Sequence, residues 1–245
     1  MSNKFILFSS GRSGSSFICS TFSAYFDIEG DAAGIELFGS DTSQMQELEN
    51  PKQKMIEYFE KYKDNKYIGF KWKPYYFDNK YIELFDYLKQ NNVKIILNYR
   101  NPLHIFFSKK KHENYSIKAR YGRKSTENEL EEIRKLKVKL DTDKLLIFLK
   151  RYYSELNKLI NLLKQNDIKF LVLKYEKLAN KNIYKWYNVL KYINPEENIK
   201  ITKLLRILDN PKFKISTFPN TYDKIITNYT EVKDFLIKNN YANLL

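Results

Sequence analysis

A short apolar run that stops abruptly at a serine- and glycine-rich turn is the feature that most constrains this chain. Phe5-Ile6-Leu7-Phe8 gives way to Ser9-Ser10-Gly11-Arg12-Ser13-Gly14-Ser15-Ser16, and Phe17-Ile18-Cys19-Ser20-Thr21-Phe22 resumes with apolar spacing suited to a helix. That order predicts strand, loop, helix. Glycines at 11 and 14 allow a tight turn and a close approach of backbone to ligand. The first N–H groups of the following helix, together with its dipole, favour an anion at that point. Arg12 adds an always-charged fork suited to phosphate or sulfate oxygens. The hydroxyls of Ser13, Ser15 and Ser16 add neutral donors, and nothing in the loop is acidic. The predicted chemistry is an oxyanion cradle, with Ser10, Gly11, Arg12, Ser13, Gly14, Ser15 and Ser16 as candidate binding residues. The plainer alternative is a turn that only joins a strand to a capped helix.

The loop is not an ATPase phosphate loop, which needs Gly, four residues, then Gly-Lys-Ser/Thr. Aligning the second glycine on Gly14 puts Ser9 at the first glycine and Ser15 at the lysine. The positive charge has moved inside the loop, to Arg12.

Further along, strand and helix patterns alternate. Tyr67–Trp72 reads as a strand and Tyr81–Gln90 as an amphipathic helix with Ile82, Phe85 and Leu88 on one face. Val93–Tyr99 is an apolar run typical of a strand covered on both faces. Arg100-Asn101-Pro102 follows it, with Pro102 suited to the first turn of another helix. Residues 109–139 turn charged and polar, which predicts an irregular insertion ending in a charged helix. Asp141 or Thr142 can cap a long helix whose buried face is Leu145, Leu149, Tyr152, Leu156, Leu159 and Leu163. Lys169–Leu173 reads as another strand, and helical stretches follow at Ile183–Ile193, Ile199–Leu208 and Thr230–Lys238. Such alternation predicts an α/β domain with a mostly parallel sheet and helices on both faces, in which ligands sit beyond the carboxyl ends of the strands. No repeat or linker divides the 245 residues, so a single domain over 1–245 is expected.

The loop after Tyr99 is the second place to look for chemistry. A cation at the exit of a buried strand is costly unless it meets an anion, and Ser108 lies two helical turns beyond Arg100. Arg100 and Ser108 are therefore candidates to grip one phosphate. The alternative is an arginine salt-bridged at a strand end beside an ordinary helical serine. A single ligand carrying phosphates at both ends would account for both loops.

Composition narrows the partners. With 43 Lys and Arg against 29 Asp and Glu the formal net charge is +14, which implies anionic partners. Abundant lysine, asparagine, isoleucine and tyrosine beside scarce glycine fit a solvated lysine coat as well. The tyrosines are scattered, and no basic, aromatic-studded motif for nucleic acid is found. No stretch approaches the roughly 20 apolar residues of a membrane span. The N-terminal apolar run is too short for a signal peptide. The one cysteine, Cys19, offers neither a disulfide nor metal-ligand spacing, so a reducing cytoplasmic setting is expected.

Residues 5–16 resemble the 5′-phosphosulfate loop of the sulfotransferases that use 3′-phosphoadenosine 5′-phosphosulfate (PAPS), and Val93–Tyr99 with Arg100-Asn101-Pro102 and Ser108 resembles their 3′-phosphate motif. Tyr175-Glu176-Lys177-Leu178 is similar to a Tyr-Glu-x-Leu segment of that family. Ile226-Thr227-Asn228-Tyr229-Thr230-Glu231-Val232 is similar to a C-terminal segment of many bacterial and carbohydrate members. The resemblance implies a three-layer α/β/α fold like that of the P-loop NTPases. It also implies PAPS as donor, no metal, and transfer of a sulfuryl group to a hydroxyl of a carbohydrate or other small acceptor. Gly11 to Ser16 would hold the 5′-phosphosulfate, and Arg100 and Ser108 the 3′-phosphate. Lys212, Lys214 and Ser216 would belong to a basic segment that closes over the donor.

The base is where the chain departs from the family. Gly69-Phe70-Lys71-Trp72-Lys73-Pro74 carries neither the histidine nor the glutamate that members place near this strand, although Lys71 or Lys73 could contact the sulfuryl group. Gly34-Ile35-Glu36-Leu37-Phe38 resembles the pattern from which bacterial trehalose-type members take a glutamate. The catalytic candidates are thus Glu36, Lys71 and Arg12. His104 is expected to be structural or to stand behind the residues that contact the ligand. The aromatics Trp72, Tyr75, Tyr76 and Phe77 suit a sugar ring or an ordinary core, and the basic residues Lys109–Lys111, Arg120, Arg123 and Lys124 suit an anionic acceptor or the donor. Three rival readings stand beside this one: a nucleotide or nucleoside kinase with an atypical phosphate loop, a nucleic-acid-binding module, and an inactive sulfotransferase-fold binding protein.

Overall fold

The computed structural model describes residues 2–28, 33–36, 51–73, 82–114, 135–210 and 222–245. These form two compact units, Met1–Tyr99 with Glu155–Lys212, and Arg100–Ser154 with Phe213–Leu245.

The first unit is built on β1 (Asn3–Ser9), β2 (Ala33–Glu36), β3 (Tyr67–Trp72), β4 (Lys94–Tyr99) and β5 (Phe170–Lys174). They form one sheet in the order β2-β3-β1-β4-β5, every neighbouring pair parallel. The interior strands are apolar on both faces because both are covered. One face carries Ile6, Phe8, Ile68, Phe70, Trp72, Ile95 and Leu97. They pack with Met55, Tyr58 and Phe59 of α2 (Pro51–Lys61), Leu84, Phe85 and Leu88 of α3 (Ile82–Gln90), and Leu159 and Leu163 of α5 (Thr142–Gln165). On the other face Phe5 meets Phe22 of α1 (Ser15–Tyr25) edge to face, with ring centres 5.4 Å apart. Phe22 in turn meets Trp186 of α7 (Ile183–Ile193) at 6.0 Å. Gly69 makes room there, since a Cβ would come within 2.3 Å of the Phe5 ring. This is the three-layer α/β/α architecture expected from the alternation, with the predicted strand, loop and helix at its first strand.

Strand order positions the site. From β1 the chain moves out to edge strand β2, returns to β3 beside β1, and then places β4 on the opposite flank of β1. The carboxyl end of β1 is therefore a topological switch point, where open α/β sheets take their ligands.

The second unit comprises α4 (Pro102–Asn114), the first half of α5, a 3-10 turn at Tyr222–Lys224, α9 (Tyr229–Lys238) and a 3-10 turn at Ala242–Leu244. Its core includes Leu103, Phe106, Phe107, Leu145, Leu149, Ile226, Val232 and Leu236. Asn101 caps α4, its Oδ1 accepting from the Leu103 amide at 2.9 Å, with Pro102 at the first helical position. Asp141, not Thr142, caps α5: its Oδ1 accepts from the Lys144 amide at 2.9 Å, and that bond lowers the carboxyl pKa. Of the expected buried face of α5, Leu145, Leu149, Tyr152, Leu159 and Leu163 are buried and Leu156 is half-buried.

Several boundaries differ from the sequence expectation. α4 runs through Asn114, so the irregular insertion does not begin at Lys109. Its lysines are helical and set their ammonium groups over aromatic rings, Lys109 over Phe148, Lys110 over Phe106 and Lys111 over Phe107. Residues 115–134, and with them Arg120, Arg123 and Lys124, lie outside the described residues, as do Tyr75, Tyr76, Phe77, Lys212, Lys214 and Ser216. β2, α2 and the one-turn α6 (Tyr175–Ala179) were not anticipated as elements. The remaining helix, α8, spans Ile201–Asp209 and starts two residues later than its sequence pattern.

Candidate functional site

Ser9 ends β1, and five residues later Gly14 is the N-cap of α1 at φ +82°. That left-handed geometry suits glycine. A Cβ at Gly14 would also lie 1.9 Å from Cε2 of Tyr175, so the close packing of loop on α6 demands the same residue. The other left-handed position in the loop is Arg12, at φ 66°, and not Gly11. An arginine there stores roughly 1 kcal/mol of backbone strain.

The N-terminus of α1 is open to an anion. Gly14 offers no side-chain cap, and the first turn holds no acidic residue to answer the dipole. Ser15 is half-buried and Ser16 exposed. Ser13 differs from its expected role. Its hydroxyl is fully buried and donates to the Ser10 carbonyl at 2.5 Å, so it shapes the loop and does not offer a donor to a ligand. The Ser10 hydroxyl, 7% exposed, has no hydrogen-bond partner. A buried donor without a partner is costly, and a ligand oxygen at the loop would satisfy it. These features fit a phosphate or sulfate group.

Asn98 is a member of the site that sequence reasoning missed. It lies on β4 directly opposite Ser9 in the register, 6% exposed. Its Nδ2 donates to Ser9 Oγ at 2.9 Å, to the Ser13 carbonyl at 3.0 Å and to Ser13 Oγ at 3.2 Å. The one available signal was a carboxamide inside the apolar run Ile95-Ile96-Leu97-Asn98-Tyr99.

The other candidates of the first unit share this edge of the sheet. Glu36 is the last residue of β2, and its backbone pairs in register with Lys71 of β3, which pairs with Leu7 of β1. Two strand spacings, about 10 Å, separate the backbones of β2 and β1. The stretch Gly69 to Trp72 is buried except at Lys71, which is half-buried.

Arg100 and Ser108 belong to the second unit. Arg100 follows β4 directly and is 4% exposed, and its carbonyl accepts from the Tyr152 hydroxyl at 3.1 Å. Ser108 lies on α4, half-buried. His104, one turn earlier on α4, is hydrogen-bonded through Nε2 to the Tyr222 hydroxyl, which donates to the Leu244 carbonyl at 3.2 Å. Lys111, three residues beyond Ser108, is buried against the Phe107 ring, and burial lowers its pKa to about 8. Among the described residues no cluster of His, Cys, Asp and Glu is placed to hold a metal ion, and no helix is long and apolar enough to cross a membrane.

No family model and no curated protein matches the chain. Among solved structures, it is similar to mouse sulfotransferase SULT7A1 complexed with PAP, at 12% identity and a TM-score of 0.42, over 99% of this chain and 88% of that one. At that level of likeness, function has to rest on the residues of the site.

Proposed function

We propose that this protein is a PAPS-dependent sulfotransferase acting on a hydroxyl of a carbohydrate or other small acceptor. The observation that carries the proposal is the loop at the switch point: an uncapped helix N-terminus, a left-handed Arg12 and Gly14, and a buried Ser10 hydroxyl without a partner. That combination suits a tetrahedral oxyanion and departs from the lysine-dependent ATP pattern. Arg100, buried at the exit of β4, and Ser108 on α4 are assigned the 3′-phosphate, which distinguishes PAPS from ATP.

The demands of sulfuryl transfer are in-line geometry, charge stabilisation at the leaving oxygen and a base for the acceptor. Arg12 and the amides of Gly14, Ser15 and Ser16 answer the charge that grows on the bridging phosphate oxygen as its bond to sulfur breaks. The new bond joins the acceptor oxygen to sulfur, and the acceptor proton passes to the Glu36 carboxylate. Lys71, at the same level of the sheet, neutralises the sulfuryl oxygens in transit. The products are a sulfate ester and 3′,5′-adenosine bisphosphate.

Calorimetric titration with 3′,5′-adenosine bisphosphate against ATP tests the donor. Preference for ATP, or indifference to the 3′-phosphate, would defeat the proposal. Glu36→Gln is expected to keep bisphosphate affinity while transfer drops by about a hundredfold or more. Normal turnover in that variant would remove Glu36 from the mechanism.

A further inference from the structure

Asn98 stands where the strand pattern calls for an apolar residue. Its neighbours Ile95, Ile96 and Leu97 are buried, and a carboxamide among them is costly unless its groups are used. The orientation of the amide follows from its partners. The Ser13 carbonyl can only accept, so the atom facing it is Nδ2. The Ser13 hydroxyl donates its single proton to the Ser10 carbonyl, so in the short bond between Ser9 Oγ and Ser13 Oγ it is Ser9 that donates. The result is a chain running one way, from the Asn98 amide to the Ser9 hydroxyl, to the Ser13 hydroxyl, to the Ser10 carbonyl. Each bond polarises the next.

This chain fixes Ser10 and Ser13, the residues on either side of Gly11 and Arg12, to the end of a central strand. The left-handed Arg12 is therefore clamped at both ends of its segment. Asn98 Oδ1 and Ser10 Oγ, both buried, are left without hydrogen-bond partners. Packing alone would favour a branched apolar residue at this position.

We propose that Asn98 is a positioning residue of the anion loop: through Ser9 and Ser13 it holds the loop in its anion-receiving conformation before the anion arrives. The inference rests on the reading of this loop as the donor's phosphate cradle. Asn98 touches the loop, and the ordering entropy of the loop is thereby removed from the binding step.

The test uses the full chain, with inorganic pyrophosphate and 3′,5′-adenosine bisphosphate as calorimetric probes. Asn98→Leu is expected to weaken both by about tenfold or more while leaving the melting temperature near that of the parent. Ser9→Ala combined with Ser13→Ala removes the hydroxyl links but keeps the Asn98 bond to the Ser13 carbonyl, so it should weaken both by less than Asn98→Leu does, and adding Asn98→Leu to that pair should bring the loss only to that of Asn98→Leu alone. Parental affinity in Asn98→Leu overturns the proposal, as do losses that simply multiply in the triple variant. If Asn98→Leu fails to fold, Asn98→Ala, which removes the bonds to Ser9 and Ser13 without adding bulk, decides in the same way. Binding of pyrophosphate but not of the bisphosphate sinks the donor assignment, while the pyrophosphate arm still judges Asn98. Binding of neither probe by the parent overturns both.

Discussion

At the scale of single residues, Gly14 meets two demands at once, a φ of +82° and a ring face with no space for a methyl group. Gly14→Ala is expected to cost roughly 2–4 kcal/mol, read as a lower urea midpoint. Adding Tyr175→Ala should relieve the steric part and leave the backbone part, about 1 kcal/mol. Lys111 gives a pH-dependent prediction. Its folded pKa is about 8 against an ordinary 10.5, so between those values the unfolded chain binds more protons and stability rises with pH. Below pH 8 the buried charge carries its full cost, on the order of 3 kcal/mol. Lys111→Met should raise stability at pH 7 by about 1–3 kcal/mol and flatten the rise between pH 8 and 10, in unfolding curves taken at both ends. A parallel pair of curves would mean that the lysine stays charged. The loop glycines and Arg12 were legible in the sequence because their chemistry is local. Asn98 was not, because its role exists only once β4 lies beside β1 with Asn98 facing Ser9. The committed hydroxyl of Ser13 was hidden for the same reason.

Among the elements, the interior strands and long helices were legible because burial imposes a period on the sequence. β2 was not, since four residues at a sheet edge are held by pairing with β3 and need no pattern of their own. α6 is a single turn, too short to show a period. α2 does carry one, with Met55, Tyr58 and Phe59 all buried, but its lysine-rich surface masked it. The segment Ile226 to Val232 illustrates what a motif-like stretch does physically. Asn228 accepts from the Leu140 amide at 3.0 Å and donates to the Leu140 carbonyl at 2.9 Å, beside the parallel bridge between Val138 and Ile226. A side chain thus continues a backbone pairing up to the first turn of α9. Asn228→Ala should cost about 1–3 kcal/mol by leaving both Leu140 groups without these bonds. Hydrogen exchange at the Leu140 amide would accelerate, and unchanged protection there would rule out this role for the side chain.

For the molecule as a whole, the charge of +14 gives the proposed donor assignment a salt dependence that can be measured. Affinity for 3′,5′-adenosine bisphosphate is expected to fall by about tenfold between 0.05 and 0.5 M salt, since exposed lysines are screened over such a range. A flat titration series would mean that the lysine coat serves solubility alone. The two units interleave along the chain, and this was not visible in local patterns: helix α5 contributes to both, its first half to one core and its second half to the other. The parallel sheet has a consequence for synthesis. Strands β1 to β4 lie within the first 99 residues, yet β5, the partner of β4, is made only from Phe170 onward. On the ribosome, the nascent chain must therefore carry β4, with its run of isoleucine and leucine, as an unpaired edge while some 70 further residues are added, a state in which edge strands seek other chains.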